Sequence, residues 1–277
     1  MSDFIVLFEI TLPILFDCNC KNIYNRLLLE VIQINPVAFE LFGIEIMWYG
    51  ILIALGVLIG TLLAMRESRR IGFREEDLID LLIFAIPSAI IGARLYYVIF
   101  NFDYYKGNLL EMINIRGGGL AIHGGLIAAV LVGGIFCKVR KVKFWQIADI
   151  TAPSIVLAQA VGRWGNFINQ EAYGVETDLP WGIEVAGKIV HPTFLYESLW
   201  NILVFIFLVW YRKNRRKNDG EVFALYVILY SVGRFFIEGL RIDSLYFGSF
   251  RVAQLLSASL VLLGIIVFIF LRKKQKK

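Results

Sequence analysis

Seven apolar blocks, each about twenty residues long, constrain this chain more than any other feature of its sequence. A helix of about 20 apolar residues is long enough to cross the hydrocarbon core of a bilayer. The sequence therefore predicts an all-α, polytopic membrane protein with about seven transmembrane helices. The fourth block is the least hydrophobic. The blocks cover residues 46–65, 79–99, 118–137, 145–162, 194–211, 221–240 and 251–271.

The composition fits a membrane protein and argues against a nucleic-acid partner. Of the 277 residues, 58% are hydrophobic and 18% are charged, whereas soluble domains carry about a quarter charged residues. The net charge of +5 is divided among short clusters between the apolar blocks, so it does not form one binding patch. The cysteines are too few for a disulfide framework. They are Cys18, Cys20 and Cys137.

The basic clusters alternate with loops that are poor in Lys and Arg. The rich ones are residues 66–74, 138–143, 212–217 and 272–277. Because cytoplasmic loops carry the excess of Lys and Arg, these four segments are predicted to be cytoplasmic. The N-terminus is then outside and the C-terminus cytoplasmic, which requires an odd number of spans.

This topology divides the chain into three parts. Residues 1–43 are predicted to be an extracytoplasmic or interfacial segment, because the apolar run from Phe4 to Phe16 is too short to span a bilayer. Residues 44–271 form the seven-helix domain, with an outer loop at about residues 163–193. Residues 272–277 form a basic cytoplasmic tail.

Several ionisable side chains lie within or beside the apolar blocks, where a charge costs about 2.5–3.5 kcal/mol on insertion scales. The predicted topology puts all of them at the level of the outer leaflet, together with Tyr49. Three of them are spaced i, i+4 and i+7, so they share one helix face. The set consists of Arg94, His123, Arg163, Arg234, Glu238 and Arg241.

An arginine-rich site at this depth suits an anionic phospholipid headgroup, because the planar guanidinium binds phosphate through two parallel N–H donors. The alternative is a structural ion pair whose arginines extend to lipid headgroups. Intramembrane charge favours a functional site. The residues alone thus predict a binding site for an anionic phospholipid.

One segment narrows the function. Residues 162–174 read GRWGNFINQEAYG, which resembles the signature G-R-x-G-N-F-x-N-x-E-x-x-G of bacterial prolipoprotein diacylglyceryl transferases at all eight fixed positions. The resemblance covers about residues 45–271, and the first forty or so residues extend beyond the family's usual start. Further segments resemble the family in the expected order: Trp48-Tyr49-Gly50, Gly92-Ala93-Arg94-Leu95, His123-Gly124-Gly125, His191-Pro192-Thr193 with Tyr196-Glu197, and Gly233-Arg234-Phe235-Phe236 with Glu238 and Arg241.

The resemblance implies an enzyme of the bacterial plasma (inner) membrane whose active site faces the outer leaflet. Such an enzyme takes phosphatidylglycerol and the lipobox cysteine of a prolipoprotein. It transfers the diacylglyceryl group to the thiol, forms a thioether and releases glycerol-1-phosphate. No cofactor is expected.

The predicted site residues follow from this reaction. Arg163 and Arg234 are expected to hold the leaving phosphate, with Arg241 beside them, since preorganised donors are often the largest catalytic contribution. Asn166 and Asn169 are expected to add hydrogen bonds to phosphate or glycerol hydroxyls, or else to serve turns. Glu171 and Glu238 are expected to orient the arginines or bind hydroxyls.

His123 is the candidate base for the thiol, because the pKa of histidine lies near 6.5. A structural histidine, with the arginines alone activating the thiol, is the alternative. Arg94 and Tyr49 either bind the headgroup or mark the membrane interface. A zinc site made from His123, His191 and glutamates lacks metal-ligand spacing, so no metal is expected. A transporter and a non-enzymatic phospholipid-binding protein are the competing classes.

Overall fold

The computed structural model describes residues 35–115 and 118–273. Within these ranges the chain forms nine helices and three antiparallel two-stranded hairpins. The first elements are β1 (Val37–Leu41), β2 (Ile44–Met47), α1 (Trp48–Ile71), α2 (Glu75–Phe100), α3 (Phe102–Tyr105), α4 (Leu109–Ile113) and α5 (Ile122–Arg140). The others are α6 (Phe144–Ile168), β3 (Ile183–Val185), β4 (Lys188–Val190), α7 (Thr193–Asn214), α8 (Glu221–Glu238), β5 (Tyr246–Phe247), β6 (Phe250–Arg251) and α9 (Val252–Lys273).

The predicted class, a helical polytopic membrane protein, is confirmed. Five of the described helices are long and apolar enough to cross a membrane: α1, α2, α5, α7 and α9. The other two long helices, α6 and α8, are not among them, and α8 carries three charged residues within 18 positions: Glu221, Arg234 and Glu238. The count of seven spans and the orientation of the termini therefore stay predictions.

The chain reverses direction at the basic loops through residues in left-handed backbone conformations. Helix α1 ends at Gly72, whose φ of 70° places it in that region. Its N–H donates to the Arg69 carbonyl, and the N–H of Phe73 donates to that of Ser68, which satisfies two terminal carbonyls of the helix. The next helix begins with Glu75, Glu76 and Asp77, and acidic residues stabilise a helix N-terminus.

Small residues set the closest helix contacts. A Cβ on Gly92 of α2 would lie 2.7 Å from the carbonyl oxygen of Gly124 on α5. Gly56 and Gly60 of α1 approach the backbone of Ala158 and Ser154 on α6 in the same way. Such contacts are typical of membrane helices, whose association depends on close packing. The main helix pairs are α2 with α5, α1 with α6, α6 with α7, and α8 with α9.

Helix α6 extends further than the sequence predicts. The fourth apolar block ends at residue 162, but the helix continues to Ile168, so half of the 162–174 segment is helical. The extension packs on α7: Trp164 Nε1 donates to Ser198 Oγ at 3.2 Å, and the rings of Phe167 and Phe194 stack with centroids 4.7 Å apart. The predicted loop therefore begins at Asn169 rather than at residue 163.

The two terminal segments predicted from the sequence are only partly described. Of the N-terminal segment 1–43, residues 1–34 lie outside the described ranges, together with Cys18 and Cys20, and β1 forms within the remainder. Of the basic tail 272–277, Arg272 and Lys273 belong to the last turn of α9. Residues 274–277 lie outside the described ranges.

A network of buried charges joins the helices at the end of the bundle that carries the basic loops. Its three carboxylates, Glu67, Asp149 and Glu221, are at most 3% exposed. They bind arginines at the ends of α1, α7 and α9 and in the loop after α7. We call this the basic-end network; its arginines are Arg70, Arg212, Arg216 and Arg272.

Candidate active site

The opposite end of the bundle is organised around one buried carboxylate. Glu197 lies near the start of α7 and is 5% exposed. Arg163 Nε of α6 pairs with its Oε2, and Arg234 Nη1 of α8 lies 2.6 Å from its Oε1. Arg241 Nη1 lies 3.6 Å from the same Oε1. A single carboxylate thereby binds three guanidinium groups, one from α6 and two from α8 and the turn that follows it.

A second carboxylate, Glu238, completes this group. Its Oε2 lies 2.6 Å from Arg234 Nη2, as the shared helix face predicts, and 3.9 Å from Arg241 Nε. The prediction that Arg241 lies on the same helix face is wrong, because α8 ends at Glu238 and Arg241 follows the turn after it. Glu238 is 3% exposed, whereas the side chain of Arg234 is 21% exposed. We call the five residues the arginine cluster; they are Arg163, Arg234, Arg241, Glu197 and Glu238.

The positive and negative charges around the cluster are more evenly balanced than in the arginine-rich site that the sequence predicts. Arg241 also binds Asp243 through two hydrogen bonds, of 2.9 and 2.6 Å, and this bond holds the pKa of Asp243 below its usual value. Three arginines therefore face three carboxylates. A fourth guanidinium, Arg251, donates to the backbone carbonyl of Glu238 at the end of α8 and leaves the set with one excess positive charge.

The segment after α6 is held in a constrained conformation. Gln170 and Ala172 both have positive φ, 51° and 57°, a conformation that residues other than glycine rarely adopt. Gly174 donates from its N–H to the His191 carbonyl at 3.0 Å. A Cβ on Gly174 would lie 2.6 Å from the Cβ of His191 and 3.1 Å from the Leu240 carbonyl oxygen. The close approach at this position requires glycine.

The asparagines and the glutamate of this segment form their own polar group. Asn166 Nδ2 donates to Glu171 Oε1 at 2.9 Å, and the Glu171 N–H donates to the Asn166 carbonyl at 2.9 Å. Glu171 therefore orients an asparagine and not an arginine among the described residues. Asn169 Oδ1 is buried and has no hydrogen-bond partner within the described part of the chain.

Tyr49 packs directly against the same segment. A Cβ on Gly165 would lie only 2.2 Å from Cδ2 of the Tyr49 ring, so the glycine makes room for the ring. The side chain of Tyr49 is 38% exposed. The structure thus places this predicted site residue, which belongs to α1, in contact with α6, the helix that carries Arg163.

Arg94 and His123 belong to the α2–α5 pair and stand apart from the arginine cluster. Arg94 donates four hydrogen bonds to the carbonyls of Glu111, Met112, Gly118 and Gly119. A guanidinium has five N–H groups, so one remains for a ligand. This arrangement fits a structural role better than phosphate binding.

His123 lies at the start of α5, and its ring is 6.3 Å from that of Tyr96. In residues 35–115 and 118–273, no hydrogen bond or ion pair links His123 to the cluster.

His191 Nδ1 lies 3.2 Å from the Tyr196 hydroxyl. The same ranges contain no group of three His, Cys, Asp or Glu side chains positioned for a metal ion.

Sequence reasoning missed four residues of this site: Glu197, Tyr230, Asp243 and Arg251. Glu197 had a signal, since it is a carboxylate within an apolar block, as Glu238 is. Tyr230, whose hydroxyl lies 3.5 Å from Arg163 Nη2, occurs one turn before Arg234 on the same helix face. Arg251 had no signal, because its contact with Glu238 depends on the short β5–β6 hairpin.

Comparisons with known proteins agree with the sequence motif. The family model for prolipoprotein diacylglyceryl transferase matches residues 36–270. A protein of Clostridioides difficile (strain 630), named phosphatidylglycerol--prolipoprotein diacylglyceryl transferase, is 55% identical over 242 residues, which cover 87% of this chain and 97% of that protein. Proteins of the same name from Finegoldia magna (strain ATCC 29328 / DSM 20472 / WAL 2508) and Bacillus cereus (strain B4264) are 54% and 51% identical, over 87% and 90% of this chain and 97% and 96% of theirs. The chain therefore belongs to the prolipoprotein diacylglyceryl transferase family.

Proposed function

We propose that this protein transfers the diacylglyceryl group of phosphatidylglycerol to the lipobox cysteine thiol of prolipoproteins. The observation that carries the proposal is the convergence of three arginines on buried Glu197, at the bundle end opposite the basic loops. The names of relatives at 51–55% identity supply the reaction.

The site faces the outer leaflet of the bacterial plasma membrane in this proposal. The basic-end network lies beside loops rich in Lys and Arg, which are cytoplasmic by the positive-inside rule. The arginine cluster lies at the other ends of α6 and α8. Phosphatidylglycerol in the outer leaflet and a lipobox cysteine at the outer membrane surface would both reach this level.

In the reaction, the thiolate sulfur attacks the glycerol carbon that carries the phosphate ester. A carbon–sulfur bond forms, the carbon–oxygen bond breaks, and the electron pair leaves with glycerol-1-phosphate. Arg163 and Arg234 stabilise this departing charge. Arg163 engages Glu197 through Nε, which holds the guanidinium in place while its Nη groups face the ligand. Preorganised donors of this kind are worth about 2.7–4 kcal/mol each.

Other residues of the cluster and of the segment after α6 hold these donors in position or add hydrogen bonds. Glu238 fixes the position of Arg234 from the same helix face, and Arg241, which follows the end of α8, approaches the same Glu238 oxygen. Asn166, oriented by Glu171, and the unpartnered Asn169 Oδ1 supply hydrogen bonds to the hydroxyls of the headgroup glycerol. Tyr49 covers the segment that carries them.

The thiol must lose a proton, because the thiolate is the nucleophile. His123 accepts this proton in the proposed mechanism. It lies on the α2–α5 pair, and α6 with Arg163 belongs to the other side of the bundle, so the substrate would bind between them. The excess positive charge of the cluster and Arg251 also favours the thiolate. Arg94 binds the carbonyls of Glu111, Met112, Gly118 and Gly119, a few residues before His123 in the chain.

The proposal is tested with purified protein, phosphatidylglycerol and a lipobox peptide. We expect the peptide to gain the mass of one diacylglyceryl group, with release of glycerol-1-phosphate. A peptide with serine in place of the lipobox cysteine is the control. A protein that binds phosphatidylglycerol without modifying the peptide would instead be a phospholipid-binding scaffold.

The base role has a separate test. His123→Gln keeps a polar side chain of similar length but does not take a proton near neutral pH. We expect a loss of about 10²–10⁴-fold in transfer, the usual contribution of a general base. Turnover close to that of the wild type would show that His123 is not the base. The positive charge of the arginines alone would then favour the thiolate.

A further inference from the structure

A second polar pair links α6 and α8, one turn further from the arginine cluster. Gln159 Nε2 lies 3.1 Å from the hydroxyl oxygen of Tyr226. These residues occur four positions before Arg163 and Tyr230, which form the pair above them. Four residues of helix correspond to about 6 Å. The two pairs therefore form successive polar levels along the same two helices.

The lower pair has more hydrogen-bonding capacity than it uses. An amide and a phenol together carry three N–H or O–H hydrogens, and one of them joins the two side chains. Gln159 Oε1 is buried and has no donor among the described residues. Because the two ends of an amide are assigned from their partners, Gln159 also fits in the opposite orientation. In either orientation, donor hydrogens remain without an acceptor in the described part of the chain.

The packing of α1, α6 and α8 leaves room for a groove beside these donors. Helices α1 and α8 both pack on α6, but they do not pack extensively on each other. On the α6 surface between them, a Cβ on Gly162 would contact Ile53 of α1, while Gln159 contacts Tyr226 of α8. Ile155, one turn below Gln159 on the same face, is 40% exposed. The groove floor is therefore charged, then polar, then apolar with increasing distance from the cluster.

We propose that the Gln159–Tyr226 pair recognises the ester carbonyls of the lipid's diacylglyceryl group. A phospholipid presents its phosphate, ester carbonyls and acyl chains in the order in which the groove presents Arg163, the Gln159–Tyr226 pair and Ile155. Ester carbonyls accept hydrogen bonds and do not donate them. They would therefore suit the N–H and O–H groups of Gln159 and Tyr226 that have no acceptor among the described residues. This inference rests on the proposed function and adds two residues that select acyl esters.

The test compares two lipids of equal chain length, diacyl phosphatidylglycerol and its di-O-alkyl analogue, which lacks the carbonyls. We expect wild-type protein to transfer the diacyl group about 3- to 10-fold faster, the value of one or two hydrogen bonds. Tyr226→Phe and Gln159→Leu should each reduce this preference towards one by slowing diacyl transfer alone. Tyr104→Phe, at a tyrosine that is 82% exposed, should preserve it.

Each contrary result has a distinct meaning. Equal wild-type rates with the two lipids would overturn the ester recognition while leaving the transferase proposal intact. A preference that persists in both variants, or an equal slowing with both lipids, would make the pair a structural link between α6 and α8. If the wild type modified the peptide with neither lipid, the proposed function itself would fail. Should one variant not fold, the other gives the same comparison.

Discussion

The two ends of the bundle use the same residue types for different purposes. At the basic end, Asp149 is fully buried, accepts hydrogen bonds from the N–H groups of Gly220 and Phe223, and lies 3.1 Å from Arg216 Nε. At the other end, the side chains of Arg163 and Arg234 are each 21% exposed. The carboxylates are buried at both ends, but their partners differ: backbone N–H groups bind Asp149 at the first end, whereas arginine side chains bind Glu197 at the second.

This difference shows how ionic groups within a membrane protein can be either structural or functional. In the basic-end network, backbone N–H groups bind Asp149 and Glu221 in addition to the arginines, so the network is held by the fold itself. Glu197 instead holds three arginines. Arg234 and Arg241 also bind Glu238 and Asp243, whereas Arg163 makes no second ion pair among the described residues. Donors that are already positioned bind a developing charge without reorganisation.

We expect the largest effect from a substitution that disrupts the basic-end network. Asp149→Ala removes the charge that faces Arg216 and leaves two buried backbone N–H groups without their acceptor. Breaking a buried ion pair costs about 3–5 kcal/mol, and we expect a loss of this order in the free energy of unfolding in lipid bilayers. The transfer rate per folded molecule should stay close to that of the wild type. Loss of transfer in a fully folded variant would show that the two ends are coupled.

We expect the next largest effect from a substitution in the arginine cluster. Arg163→Gln removes a guanidinium from the proposed phosphate site, and we expect the transfer rate to fall about 10²–10³-fold, as when one preorganised donor is lost. The matched variant is Arg216→Gln, which removes an arginine of similar exposure, 15%, from the basic end. It should lower stability and preserve transfer. Similar activity losses in the two variants would remove the distinction between the ends.

A smaller effect sharpens the comparison within α6. Gly165→Ala would place a methyl group 2.2 Å from the Tyr49 ring, so the ring must move. We expect a cost of about 1–3 kcal/mol in stability, typical of overpacking, and slower transfer because Tyr49 no longer covers the site. Gly134→Ala is the control, since its Cβ would meet nothing within 4 Å. Identical melting and transfer in the two variants would contradict the packing argument.

The sequence predicted the parts of this molecule that depend on local pattern. The apolar blocks identify the long helices, and the i, i+4 spacing of Arg234 and Glu238 predicts their 2.6 Å ion pair. Local sequence patterns did not predict the contacts between segments that are distant along the chain. Glu197 and Arg163 are 34 residues apart along the chain, and only the packing of α6 on α7 brings them together. The same applies to Arg94, which the sequence predicts either to bind the headgroup or to mark the membrane interface: its carbonyl partners lie 17 to 25 residues away along the chain.

The smallest expected effect concerns the edge of the arginine cluster. Arg241 lowers the pKa of Asp243 in the folded protein, so their pair adds stability at pH values above the usual aspartate pKa of about 4. That contribution is lost as the pH falls through the lower, folded value. Asp243→Asn should therefore reduce stability at neutral pH and weaken its decline in acid. Because the Asp243 side chain is 47% exposed, we expect less than about 1 kcal/mol. A steeper acid decline in the variant would contradict the pairing.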